Sequence, residues 1–198
     1  MSDKLKLLNG IIANNLYVKS CVSNKKKDIS SLSYLIDSRE LSQSDCIKLG
    51  HGLEKVIIDI VSEQNKKIQN IKPKNKKGEK EKDHLLKDDE KKIIYYSEVK
   101  SNLNLDTEKC KSTSDKCASI LEKLKIEFPD YEIKMFLIGG RYYEKKMIPK
   151  NILDKYTVID NHLIGINDYL DYFNVDLKFN DENEYKEFLN ILANSMFK

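Results

Sequence analysis

The chain has 198 residues, 40% hydrophobic and 34% charged, with a formal net charge of +3 at neutral pH. That length and balance suit one globular domain of soluble composition and exclude a disordered or membrane chain. The longest apolar runs, such as Val56-Ile57-Ile58 and Met135-Phe136-Leu137-Ile138, are far too short to cross a bilayer, and the first residues lack the apolar segment of a signal peptide. A cytoplasmic location with no membrane partner is therefore expected.

Residues 1–43 read as an N-terminal helical portion. The first strong element is a helix over residues 44–62, with Ser44 as its cap and Asp45 in its first turn. Cys46, Leu49, Leu53, Val56, Ile57 and Ile60 recur on one face at 3.6-residue spacing. Glu54 borders that apolar stripe, a carboxylate able to look inward from the edge of a core helix. The segment IQNIKPKNKKGEKEK keeps no period and is punctuated by Pro73 and Gly78, which predicts a loop. From Lys66 to Lys82 eight lysines stand against Glu79 and Glu81, a run that gains meaning only beside a phosphate backbone.

Two strand-like runs follow, residues 82–86 and 93–101, separated by the polar residues 87–91, and they predict a hairpin. A second helix is expected over residues 112–128, closed by Pro129, with Cys117, Ile120, Leu121, Leu124 and Phe128 on one face. A short strand over residues 132–138 runs into Gly139-Gly140. A packing helix over residues 184–197 presents Tyr185, Phe188, Leu189, Leu192 and Met196. The expected fold is mixed α/β (α+β), a central mixed sheet flanked by helices. Cys21, Cys46, Cys110 and Cys117 form no Cys-x-x-Cys pair and have no histidine at zinc-ligand spacing, so they read as reduced thiols.

The hairpin carries the chemistry. Side chains alternate faces along a strand, so Glu98 and Lys100 point one way and Val99 the other. With the turn centred near Asp89, Asp83 lies opposite Tyr96, and its diagonal neighbour on the same face is Glu98. Two carboxylates this close repel unless a cation lies between them. Oxygen-only ligands suit Mg²⁺, and the Lys100 ammonium is placed to position a water or help deprotonate it. The plainer alternative is a charged hairpin that keeps a sheet edge soluble. His84 is sent to the opposite face and reads as structural, while Asp88 and Asp89 read as turn residues.

Asp83, then Glu98-Val99-Lys100 on the next strand, in a chain ordered helix, strands, helix, strand, resembles the PD-(D/E)XK nuclease superfamily, and within it the type II restriction endonucleases. Lys82 stands where the motif has its proline. The resemblance implies a restriction-endonuclease-like core over about residues 44–140, within a single nuclease domain covering residues 1–198. The C-terminal portion 141–198 would serve DNA recognition and packing. It also implies an Mg²⁺ ion held by Asp83, Glu98, the Val99 backbone carbonyl and Glu54, with Asp83, Glu98, Lys100 and Glu54 as the catalytic set.

On that resemblance the partner is double-stranded DNA, cleaved at a specific short sequence by a homodimer. Contacts would come from Lys74, Lys76, Lys77 and Lys80 in the lysine run, from Asn102, Lys109 and Lys116 after the second strand, and from Arg141 and Tyr142 after the glycine pair. Arg141, one of only two arginines with Arg39, can grip a guanine edge. A Holliday-junction-resolvase-like nuclease and a non-catalytic DNA-binding protein on the same scaffold are the competing expectations.

Overall fold

The computed structural model describes residues 32–36, 41–71, 82–156, 159 and 162–197. Helix α1, Gln43–Gln64, starts from a capping box. The Asp45 N–H donates to Ser42 Oγ, while the Asp45 carboxylate accepts from the Ser42 N–H and hydroxyl. The cap is thus Ser42, not Ser44, because only the earlier serine has an acid three residues on. The apolar stripe is buried as its spacing predicts, through Leu49, Leu53, Val56, Ile57 and Ile60, with Cys46 half-buried.

Three strands follow, β1 (Ile68–Asn70), β2 (His84–Asp88) and β3 (Ile93–Lys100), paired antiparallel in sequence order. Helix α2, Thr107–Glu127, then crosses to β4 (Glu132–Gly139), which lies parallel to β3. Beyond it come a short helix α3 (Lys150–Leu153) and the edge strand β5 (Leu163–Ile164), parallel to β4. Helices α4 (Ile166–Tyr172) and α5 (Glu182–Met196) complete the chain. The sheet is a five-stranded mixed sheet in the order β1-β2-β3-β4-β5.

The sheet separates two apolar layers. On one face, Leu86, Tyr95, Val99 and Ile138 pack with α1, α4 and α5. On the other, Leu85, Ile94, Tyr96 and Leu137 pack against Cys117, Ile120 and Leu124 of α2. Alternation along β3 therefore assigns its odd-numbered residues to the α1 layer and its even-numbered ones to the α2 layer. Tyr185, Phe188, Leu189, Leu192 and Met196 of α5 are all buried, as the helical spacing of the tail predicts.

Several boundaries differ from the sequence reading. Ile68–Asn70 is an edge strand rather than loop. Three residues are too few to show a period, and pairing with Leu86–Asp88 is what fixes them. The first hairpin strand lies two residues later than expected, so the turn falls at residues 89–92. The Lys91 N–H donates to Asp88 Oδ1, and Lys92 takes a positive φ of 55° that closes the turn. Helix α2 begins five residues early because Asp106 caps it, accepting from the Lys109 N–H at 2.8 Å. Ser112, Thr113 and Lys116 consequently lie inside the helix, not at its N-terminus. The expected N-terminal helical portion over 1–43 falls mostly outside the described residues. Among those described, no helix is long and apolar enough to cross a membrane.

Candidate active site

Pairing of β2 with β3 sets His84 against Ser97 and Leu85 against Tyr96. Continued by one residue, that register brings Asp83 beside Glu98 instead of Tyr96. The offset from the sequence reading is two residues, and because the side-chain period is two, Asp83 keeps the face of Glu98 and Lys100. Asp83 is fixed there by its Oδ2, which accepts the Val99 N–H at 2.8 Å. The Val99 peptide thus meets the acid through its amide. Burial, then the charge of Glu98, pushes the Asp83 carboxyl above its ordinary range.

Glu98 has no exposed side-chain surface. Its carboxylate accepts from the Tyr96 hydroxyl at 3.0 Å and from Lys100 Nζ at 2.6 Å. Lys116 Nζ, arriving from α2, lies 2.6 Å from Oε1 and 2.8 Å from Oε2. Burial alone would raise this carboxyl, but the two ammoniums outweigh it and hold Glu98 below its ordinary value. For Lys100, burial favours the neutral amine, yet Glu98 overrides it and the ammonium is retained above its usual range. Lys100 is therefore a fixed cation at neutral pH, suited to orienting a water and offsetting negative charge rather than to taking a proton.

Glu54 reaches the group from the other layer. It shares with Asp83 a cleft of about 340 Å³ that His51, Asp59, Asn70 and His84 also line. Burial, then the negative charge of Asp83, pushes the Glu54 carboxyl up to about 7 against the weaker pull of His51 and Lys100. The His51 contact, 3.3 Å from Nδ1 to Oε2, is at the exposed rim. His84, buried on the α1 face, ties β2 to α1: its Nε2 donates to the Glu54 carbonyl at 2.8 Å. With Nε2 donating, Nδ1 faces the Tyr169 hydroxyl at 3.4 Å, and Tyr169 accepts from Ser97 Oγ at 3.1 Å. His84 is structural, as its face predicts, and what it secures is the backbone that carries Glu54.

The acids do not form a closed ligand set as they stand. Among the described residues no three His, Cys, Asp or Glu side chains gather tightly enough to hold a metal ion. Glu98 is turned to its lysines, while Glu54 and Asp83 line the cleft. The donor chemistry nonetheless fits a hard divalent cation. The donors are carboxylate oxygens, raised first by burial and then by repulsion from a neighbouring acid, and such an ion relieves that repulsion.

Of the expected DNA contacts, Lys74, Lys76, Lys77 and Lys80 lie outside the described residues. Asn102 accepts the Asn104 N–H through Oδ1, and Lys109 is exposed in an ion pair with Asp106. Arg141 pairs with Glu182 at 3.1 Å, its guanidinium lying 5.7 Å from the Tyr34 ring centre and 5.5 Å from that of Tyr142. These residues line a second cleft of about 430 Å³, at the end of β4.

Compared with protein-family models, curated proteins and solved structures, the chain matches none.

Two contributors to the site were misplaced or missed by sequence reasoning. Lys116, expected among the DNA contacts near the start of the second helix, stands midway along α2, where it grips Glu98. The available signal was its position between Thr113 and Ile120, at the margin of the buried stripe Thr113, Cys117, Ile120 and Leu124. The anchoring of Glu54 through His84 and Tyr169 had no signal, since it spans 30 and 85 residues of chain.

Proposed function

We propose that the protein is an Mg²⁺-dependent endodeoxyribonuclease, a type II restriction enzyme that hydrolyses double-stranded DNA at a short specific sequence. The observation that carries this reading is the assembly, at one end of the sheet, of Asp83, Glu98 and Lys100 on a single face with Glu54 beside Asp83. The order helix, strands, helix, strand around that assembly supports it, as it is the order the resemblance implies.

In hydrolysis a water oxygen bonds to phosphorus as the P–O ester bond breaks, leaving a phosphate end and a hydroxyl end. Asp83 and Glu98, with Glu54 and the Val99 carbonyl in support, would hold Mg²⁺. The bound ion would lower the pKa of a coordinated water and offset charge at phosphorus. Lys100, kept as an ammonium by Glu98, orients the attacking water and stabilises the oxygens that gain negative charge. The Val99 amide holds Asp83, and the bonds of His84 hold the backbone of Glu54. A two-fold DNA site is cut on both strands most simply by a homodimer.

The test is digestion of a long natural DNA with and without Mg²⁺, using Lys100→Ala and Asp83→Ala as controls. Discrete bands that need the metal and vanish in both variants are expected. Smears would replace site specificity with non-specific cutting. Cleavage of branched DNA alone would make the protein a junction resolvase. No metal-dependent cutting of any substrate would refute the catalytic reading and leave a DNA-binding protein.

A further inference from the structure

Glu98 carries more positive charge than it needs. One ammonium neutralises a carboxylate, yet Lys100 Nζ and Lys116 Nζ both lie 2.6 Å from the same Oε1. Two cations on one oxygen repel each other, and the charge that Glu98 leaves unbalanced is answered by Asp83 beside it, the acid that would hold the metal. Both lysines remain partly open to solvent, with 29% and 23% of their side-chain surface exposed, so a ligand can reach them while Glu98 stays covered. Lys116 is also held on a rigid element. It lies within a helix whose inner face, through Cys117, Ile120 and Leu124, is locked against the sheet.

We propose, on the basis of the nuclease reading, that Lys116 is a second substrate-binding cation. Its ammonium takes a non-bridging oxygen of the phosphodiester to be cut, beside Lys100, and without nucleic acid it rests on Glu98. Charge balance supports the assignment. One phosphodiester set against Lys100, Lys116 and Glu98 gives a neutral cluster. When Glu54, Asp83 and a divalent cation are counted too, the full assembly is again neutral. Without Lys116 it would carry an uncompensated negative charge at the place where further negative charge develops. A second consequence concerns Glu98 itself. Lys116 competes for both of its oxygens, so it opposes entry of a metal at that carboxylate until a phosphate draws the ammonium away.

The experiment uses the full chain and two readouts on Lys116→Met and Lys116→Arg. The first is calorimetric titration with Mg²⁺ alone, without DNA. Loss of the competing charge-assisted hydrogen bonds should tighten binding in Lys116→Met about tenfold. The second is turnover on a DNA that the wild type cuts: kcat should fall about a hundredfold in Lys116→Met with KM moving less, and Lys116→Arg should recover most of it. Unchanged kcat in Lys116→Met overturns the proposal whatever the metal does. So does weaker metal binding with a lowered melting temperature, which would make Lys116 a structural support of Glu98. A wild type that cuts no DNA refutes the nuclease reading itself, an outcome distinct from an active wild type matched by an active Lys116→Met.

Discussion

Replacing Glu54 by glutamine should stabilise the protein, and the gain should grow with pH. In the unfolded chain this carboxyl titrates at its ordinary value of 4.5, and in the fold at about 7, raised first by burial and then by Asp83. Below pH 4.5 both states are protonated and there is no penalty. Between 4.5 and 7 the unfolded chain releases the proton while the folded one retains it, so stability falls as pH rises. Above 7 both are ionised and the full cost applies, about 3 kcal/mol at roughly 1.4 kcal/mol per tenfold in proton affinity. Asp83, raised in the same direction, adds to the slope. Glu98, held low by its lysines, contributes stability that is lost only at acid pH and leaves this window flat. The contact with exposed His51 is a small correction. Thermal melts of wild type and Glu54→Gln in EDTA should therefore differ by under about 1 kcal/mol at pH 5. At pH 8 the variant should melt roughly 6–12 °C higher for a domain of this size. Mg²⁺ added at pH 8 should raise the wild-type melting temperature more than that of the variant. A difference that stays constant from pH 5 to pH 8 would refute the picture of a buried, mutually repelling pair.

Asp83 allows charge to be separated from hydrogen bonding. Asp83→Asn keeps an acceptor for the Val99 N–H and removes the repulsion with Glu98, so urea unfolding should find it no less stable than wild type, whereas Asp83→Ala strands that amide and should lose about 1–3 kcal/mol. Both should fail to cut DNA. His84→Ala leaves the Glu54 carbonyl and the Tyr169 hydroxyl without this partner, and a loss of about 1–3 kcal/mol in the same assay is expected. Gly165→Ala would drive its new Cβ to 2.6 Å from the N, Cα and C atoms of Glu144, backbone that cannot yield, and should cost about 1–3 kcal/mol or more. Gly52→Ala crowds the flexible end of Met196, with Leu192 at ordinary contact distance, and gains helix propensity, so its melting temperature should stay near that of wild type.

What could be read from the sequence was what depends on local spacing. The stripes of α1 and α5, the strand over residues 132–138 and the shared face of Glu98 and Lys100 all follow from periods of 3.6 and 2. The strands β1 and β5, three and two residues long, exist only through pairing with neighbours and leave no periodic trace. Helix α2 starts five residues before the expected residue 112 because its cap, Asp106, lies outside the apolar stripe from which the helix was read. In the candidate site, the shared face of Asp83, Glu98 and Lys100 was legible by strand alternation, and the inward edge position of Glu54 by helical spacing. The grip of Lys116 on Glu98 was not, since it joins residues 18 apart through the packing of a helix on a sheet. Arg141 was legible only as a rare cation beside two glycines. Its ion pair with Glu182 depends on where α5 returns to the sheet.

The displaced turn shows why the site tolerates an error in its predicted geometry but not every error. Centring the hairpin near Asp89 pairs Asp83 with Tyr96, while the observed turn at residues 89–92 brings it beside Glu98. An even displacement leaves the faces intact, so the acids meet in either case. An odd one would turn Asp83 into the α1 layer and His84 toward Lys116. The observed register is held at both ends, at the turn by the bond from the Lys91 N–H to Asp88 and at the open end by the bond from the Val99 N–H to Asp83. The second of these is made by a candidate catalytic residue. Asp83 therefore helps to fix the register on which its own meeting with Glu98 depends. His84, next in the chain and facing the other way, ties that same end of β2 to the carbonyl of Glu54. Adjacent residues of one strand thus address the two layers, and this is how a carboxylate on α1 and an ammonium on α2 come to lie around a single strand end.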